Sequence, residues 1–258
     1  MTCVLRMDQA LYRLLHHRTE REAFLAGRFD ELGWPDELVQ AFATVDREEL
    51  SATAKQICRN LLAGERGCSR GLRGAYGRVL QALEAGGRQA LDVVYAFVES
   101  EQYDSYREVP YAGEGICVEE AFYEFLGQDE WFVRDARMMC LLTHEFLTAL
   151  MGILTVNQDP AFYVRSELVH WNGAARVAVL RYPRAVAEAL GGRKIAGVEV
   201  DVPWLYAATA ERFVSGPVTP LVEDVLLGGR AYDGKEELRD TLQKLEELGL
   251  LQKEEQLG

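Results

Sequence analysis

Two groups of residues in this sequence have types and spacings that chemistry can use. Cys140 and His144 stand four apart in "MMCLLTHEFL". On a helix that spacing puts a thiol and an imidazole on one face, where they can share a metal ion. Two ligands do not complete a site, and burial inside an apolar helix accounts for both equally well. Glu119, Glu120 and Glu124 stand at helical spacing in "VEEAFYEFLG". Paired carboxylates do acid–base work only where their surroundings split their pKa values. The plainer expectation for these three is a solvated acidic helix face. Histidine is otherwise confined to His16, His17 and His170. There is no HExxH, no pair of ExxH motifs, no GxSxG and no P-loop. "GLRGAYG" has the glycines of a phosphate loop but no strand before it, so it reads as a loop opening a helix. No self-contained active site emerges, and no metal or cofactor is expected in this chain.

The totals narrow the classes further. The chain has 258 residues, 48% of them hydrophobic and 27% charged, with a net charge of −13. This is the composition of a soluble globular protein with room for one large or two modest domains. Nucleic-acid affinity rests on neutralised phosphates, and anionic membranes attract cations, so both are poor partners for so acidic a chain. A basic or neutral protein, or a cationic peptide, suits it better. The five cysteines, Cys3, Cys58, Cys68, Cys117 and Cys140, are odd in number and form no CxxC. That argues against a disulfide framework and a thiolate zinc site, and for a reducing compartment. The opening residues hold Arg6 and Asp8 and no apolar run of signal-peptide type, so a cytoplasmic location is the expectation. The most apolar window, "MMCLLTHEFLTALMGILTV", contains His144 and Glu145 and reads as a buried core helix rather than a membrane span.

The elements that position these residues are helical to about residue 155. Leu11, Leu14 and Leu15 share a face in "MDQALYRLLHH", and Phe24 and Leu25 keep helical spacing in "TEREAFLAGRF". Pro35 suits a first helical position, with Asp36 and Glu37 at the positive end of the helix dipole. The clearest helix begins at Asp46, a capping residue with Glu49 three positions on. It carries Leu50, Ala54, Ile57, Cys58, Leu61 and Leu62 as its stripe and stops at Gly64. A basic, glycine-rich loop, "ERGCSRGLRG", follows. The texture changes between residues 155 and 172. "ARVAVLRYP" alternates as a strand, with Val177 and Val179 on one side and Ala178 and Leu180 on the other. "KIAGVEVDVP" alternates too, and places Val198, Val200 and Val202 inward. Helices are expected at "WLYAATAERFV", "TPLVEDVLLGG" and "KEELRDTLQKLEELG", the last with a stripe of Leu238, Leu242, Leu245 and Leu248 and a stop at Gly249. "LLQKE" suggests a short final strand. The fold class expected is α+β: a helical domain over 1–160, then a small winged-helix-like α+β domain over 172–258. From Pro203 to the end six basic residues face eleven acidic ones, a balance of −5 that disfavours DNA as its ligand.

The whole pattern resembles a known family. "LYRLLHHRTEREAFLAGRFDELGWPDELVQAFATVDREEL" resembles the helical opening of partner proteins encoded beside multinuclear non-haem iron-dependent oxidative enzymes. Those enzymes modify cysteines in ribosomally made precursor peptides, as in the methanobactin and thiaglutamate pathways. "VEEAFYEFLGQDEWFVRDARMMCLLTHEFL" looks like that family's aromatic stretch and enzyme-docking helix, and the stretch from "VEVDVPWLYAA" to "LRDTLQKLEELGLL" is similar to a peptide-recognition winged-helix domain. The resemblance implies a non-catalytic partner subunit that binds a leader peptide and docks on the oxidative enzyme, which would hold the iron. By analogy with strand addition, the peptide would lie along "KIAGVEVDV", touching Ile195, Val198 and Val200, beside Lys235, Arg239 and Leu242 of the last helix. Tyr111, Phe122, Phe125 and Trp131 would face the enzyme; aromatic residues here, with Tyr103, Tyr106 and Tyr123, favour either an interface or a core. The alternatives are a winged-helix transcription regulator and a stand-alone enzyme using the carboxylates near Glu119–Glu124 or the Cys140/His144 pair.

Overall fold

The computed structural model describes residues 6–64, 71–108, 117–156, 165–196, 200–227 and 236–251. Contacts divide the chain into two compact units, Met1–Glu108 and Val109–Gly258. The change of texture near residues 155–172 marks where helix gives way to sheet. The contacts thin out elsewhere, because the long apolar helix before that change lies against the sheet after it and joins the second unit.

The first unit is helical among its described residues. Its elements are α1 Met7–His16, α2 Arg18–Leu25, α3 Phe29–Leu32, α4 Asp36–Phe42, α5 Arg47–Ala63, α6 Gly71–Ala75, α7 Gly77–Ala85, α8 Ala90–Val98 and α9 Glu101–Glu108. One core gathers Leu14, Phe24, Trp34, Leu38, Phe42 and Leu50. Phe24 sits at its centre, with ring centroids of Phe29, Trp34 and Phe42 at 5.8, 5.9 and 6.1 Å. Leu14 faces inward and Leu15 half inward, whereas Leu11 stays 41% exposed, so the stripe of α1 is narrower than its leucines suggest. Pro35 is the N-cap of α4, one position before the expected one. In α5 the Asp46 carboxylate accepts from the Glu48 and Glu49 amides at 2.9 and 3.0 Å, satisfying two of the donors a helix start leaves open. Leu50, Ala54 and Cys58 are its buried stripe, and Gly64, at φ 79°, ends it.

The second unit is mixed α and β. Three helices, α10 Val118–Gly127, α11 Glu130–Arg134 and α12 Ala136–Val156, precede a four-stranded antiparallel sheet. Its strands, β1 His170–Trp171, β2 Arg176–Pro183, β3 Asp201–Ala208 and β4 Phe213–Pro217, lie in sequence order. The register pairs Val177 with Ala207 and Tyr206 with Ser215. Helix α13, Arg184–Gly191, connects β2 to β3, and α14 Pro220–Leu226 and α15 Glu236–Glu247 follow the sheet. Side chains of β2 and β3 alternate between two layers. Ala175, Val177, Leu205 and Ala207 meet Val225, Leu226, Leu245 and Leu250 on one face, with Val179 and Leu242 packed at its margin. The other face, with Tyr182, Trp204 and Tyr206, lies against α12 and α13. Helix α12 is long and apolar enough to cross a membrane by length and composition, yet Leu142, Phe146, Leu147, Leu150, Met151 and Leu154 are buried within the fold.

The strand expected at "ARVAVLRYP" forms, with Val177 and Val179 on one side as read from the alternation. The helix expected at "WLYAATAERFV" does not. Trp204–Ala208 is the central strand β3, and Phe213–Pro217 is β4. Thr209 closes the hairpin between them. Its amide donates to the Arg212 carbonyl at 3.0 Å, and its hydroxyl accepts from the Arg212 amide at 3.1 Å. Of the strand expected at "KIAGVEVDVP", Asp201, Val202 and Pro203 open β3; Val202 is buried, whereas Val200 is 81% exposed. Leu250 and Leu251 do not form a strand. The Leu250 amide donates back to the Leu245 carbonyl, and Gly249, at φ 72°, makes the left-handed stop after α15.

Candidate functional site

Of the Cys140/His144 pair, His144 enters a hydrogen-bond chain with two tyrosines of the sheet. Helix α12 aims His144 at the sheet, where Nδ1 lies 2.6 Å from the Tyr206 hydroxyl. That hydroxyl lies 2.9 Å from the Tyr182 hydroxyl on the neighbouring strand. Trp204 meets the imidazole edge-on at 5.9 Å. Burial pushes the phenol pKa of both tyrosines well above the ordinary value, so both stay protonated and each supplies a donor. Cys140 is half-buried, and its thiol pKa is raised by burial and then by Asp135. Burial pushes Cys58 up to about 11 and raises Cys117 further. Thiols held in this direction are protonated near neutrality and are weak nucleophiles and weak metal ligands. Among the described residues no three His, Cys, Asp or Glu side chains gather in a way that could hold a metal ion.

The acidic triplet of α10 is not the solvated face expected of it. Glu120 is 2% exposed, and its carboxylate accepts from the Ser166 amide at 2.6 Å. Burial raises its pKa, and the Ser166 and Arg165 main-chain donors only partly counter that. Glu124 pairs with Arg165 at 3.0 Å. Together the two carboxylates fasten the segment that leads into β1, which is a structural use of paired acids.

The feature best fitted to bind another molecule is at the β1 edge of the sheet. Beyond β1 the described residues add no further strand. His170 and Trp171 pair inward with Val177 and Arg176, which leaves the outer side of the strand open among the described residues. Trp171 is 37% exposed, with the Arg176 guanidinium over its ring at 5.5 Å. Beside it opens a cleft of about 530 Å³ lined by Asn172, Val225, Leu226, Leu227 and Leu251. Asn172 fixes the cleft's shape: its Oδ1 accepts from the Ala174 and Ala175 amides, and its Nδ2 donates to the Leu250 carbonyl at 2.8 Å. An exposed edge, one aromatic anchor and a wall of leucines form the arrangement that strand-addition sites use.

None of the described residues expected to bind peptide lines this cleft. Val198 and Lys235 lie outside the described residues, as does Tyr111. Ile195 is half-buried and held by its main chain, its amide donating to Glu188 and its carbonyl accepting from Arg184. Val200 is exposed, but its carbonyl accepts from the Arg184 amide at 2.9 Å. The following residues enter β3, where Asp201 and Val202 pair with Pro183 and Tyr182 of β2, and the pairing with β4 begins at Trp204. Arg239 is exposed, whereas Leu242 packs against the sheet's core. Of the residues expected to face an enzyme, Phe122 is fully buried and stacked near Phe125 at 6.2 Å. Phe125 and Trp131 are half-buried. The sequence signal that was passed over is "VHWNG": a tryptophan beside a turn-forming Asn-Gly in an otherwise polar stretch. A scan against protein-family models, a search of curated proteins and a search of solved structures each returned no match to this chain.

Proposed function

We propose that this chain is a non-catalytic partner subunit. It binds the leader segment of a ribosomally made precursor peptide and docks on an iron-dependent, peptide-modifying oxidative enzyme in natural-product biosynthesis. The iron and the oxygen chemistry belong to that enzyme, and the complex is cytoplasmic and heterodimeric. The observation that carries the peptide-binding part is the open β1 edge with Trp171 beside the leucine-walled cleft. An extended peptide laid along such an edge gains main-chain hydrogen bonds, and a cleft beside it selects side chains. The winged-helix-like reading of residues 172–258 belongs to the same proposal, with the β3–β4 hairpin as the wing and the end of α14 as the wall beside the peptide. The half-buried aromatic residues Phe125 and Trp131 support the docking role, since aromatic side chains concentrate at interfaces.

The test is co-expression with the neighbouring genes. The expected outcome is iron in the purified complex, none in the lone chain, and saturable binding of the precursor peptide by the lone chain. Trp171→Ala should weaken that binding roughly tenfold or more, the loss expected of an aromatic anchor, with an unchanged melting temperature. Stoichiometric metal in the lone chain would overturn the proposal. So would precursor binding that ignores Trp171 and Leu227.

A further inference from the structure

The proposed role leaves the basic face of the first unit unused. Between residues 47 and 73 six basic side chains stand against three acidic ones, a local excess of cations in a chain of net charge −13. Arg47, Lys55 and Arg59 of α5 line one open cleft of about 590 Å³ together with Leu25, Ser51, Ala52 and Gln56. At 1.5 Å of rise per residue they spread over about 18 Å of helix. Glu48 is the one carboxylate on this lining.

Elsewhere in the described residues many arginines have found acids. Arg13 pairs with Glu20, Arg18 with Glu22, Arg28 with Glu31, Arg73 with Glu84, Arg181 with Glu223 and Arg184 with Glu188. Lys55 and Arg59 are exposed and have neither an ion pair nor a hydrogen bond among the described residues. Arg47 is held in place without a carboxylate. It donates to the Leu25 carbonyl at 3.1 Å and lies over the Phe24 ring at 5.8 Å. Three cations against one carboxylate, with Arg47 already immobilised, form a site suited to further carboxylates.

We propose that this cleft docks an acidic segment of a partner polypeptide, with carboxylates against Lys55 and Arg59 and an apolar residue against Leu25 and Ala52. Charge complementarity selects this occupant. A nucleic acid would bring a long run of phosphates against the repulsion of the whole acidic chain, whereas a short acidic segment meets only the local field. The site is on the first unit and does not depend on the β1 edge.

The experiment is fluorescence anisotropy on the full chain, with a labelled oligo-glutamate peptide containing leucines, at low salt. Saturable binding is expected. It should weaken at least ~10-fold in Lys55→Glu/Arg59→Glu and about 3-fold or more in the milder Lys55→Gln/Arg59→Gln, and it should fall with added salt. Trp171→Ala should leave it unchanged, which separates this site from the peptide edge. Both substituted side chains are exposed, so circular dichroism should report an unchanged fold. No saturable binding, or binding indifferent to both double variants, would overturn the proposal. An oligonucleotide that bound more tightly than the peptide and was lost in the same variants would also overturn it.

Discussion

Tyr206 is the residue on which the second unit's interior turns. Its hydroxyl is shared by His144 and Tyr182, at 2.6 and 2.9 Å, inside the layer between α12 and the sheet. A buried hydroxyl removed from a chain costs more than its own bond, because its neighbours were desolvated to meet it. Tyr206→Phe should therefore destabilise by about 1–3 kcal/mol in urea unfolding, and its combination with Tyr182→Phe should fall short of the sum. Additive losses would show that the two hydroxyls do not act as a unit. Glu120 sets a second prediction. Burial holds its folded pKa above the ordinary 4.5, so between those values the folded state binds more protons than the unfolded one. The favourable contribution is complete below 4.5 and is lost as pH rises through the raised value. Stability of the wild type relative to Glu120→Gln should thus decline as pH rises from about 4.5 towards neutrality, with the Gln variant losing that part of the slope. Parallel pH profiles for the two proteins would show that Glu120 is ordinary. The carboxamide keeps an acceptor for the Ser166 amide, which makes Gln the informative replacement.

At the scale of elements, Asn172 ties the β1–β2 turn to the chain leaving α15. Asn172→Ala deletes three hydrogen bonds, two within the turn and one across to Leu250. At about 0.5–1.5 kcal/mol each the loss should be about 1.5–4.5 kcal/mol, with the apolar cleft loosened as well. Trp171→Ala touches the same cleft from its exposed rim and should cost peptide affinity while leaving the unfolding midpoint near the wild type. Equal stability losses in both would deny Asn172 its bridging role. These elements were legible in the sequence to differing degrees, for physical reasons. Helix α5 could be read from end to end because its signals are local: the Asp46 cap, the Leu50–Ala54–Cys58 stripe and the Gly64 stop. Strand β2 alternates with a well-defined inner face, α14 carries its own cap at Thr219, and α15 ends at Gly249. Strand β3 was hidden because it is covered on both sides. From Val202 to Ala208 every residue is buried, so the period-two contrast that betrays a half-exposed strand is missing. Trp204 and Tyr206 face α12 while Leu205 and Ala207 face α14 and α15, an arrangement set by layers distant in sequence. The candidate site was illegible for a related reason. His170, Trp171, Leu227 and Leu251 come from three stretches of chain, and no local pattern joins them.

For the whole molecule, two electrostatic effects compete. The net charge of −13 makes the folded chain repel itself, which salt relieves. Ion pairs such as Arg18–Glu22, Arg28–Glu31 and Arg134–Glu130 are weakened by salt, but they lie on the surface, with half or more of each side chain exposed. Exposed pairs contribute about 0–1 kcal/mol apiece, and many contribute nothing measurable. The better-shielded pairs, Arg13–Glu20, Arg165–Glu124, Arg181–Glu223 and Arg184–Glu188, each keep one partner more than a third exposed, so water screens them too. Self-repulsion acts over the whole charge excess and should prevail. The melting temperature should therefore rise by roughly 2–4 °C between about 20 and 200 mM sodium chloride, a gain of about 1 kcal/mol for a chain of this size. The basic face of α5 sharpens the test. Lys55→Glu/Arg59→Glu removes two cations and adds two anions, taking the net charge to −17. If self-repulsion governs, the variant should melt lower than wild type at low salt and converge with it at high salt. A melting temperature that falls with salt in the wild type would mean that the surface pairs dominate.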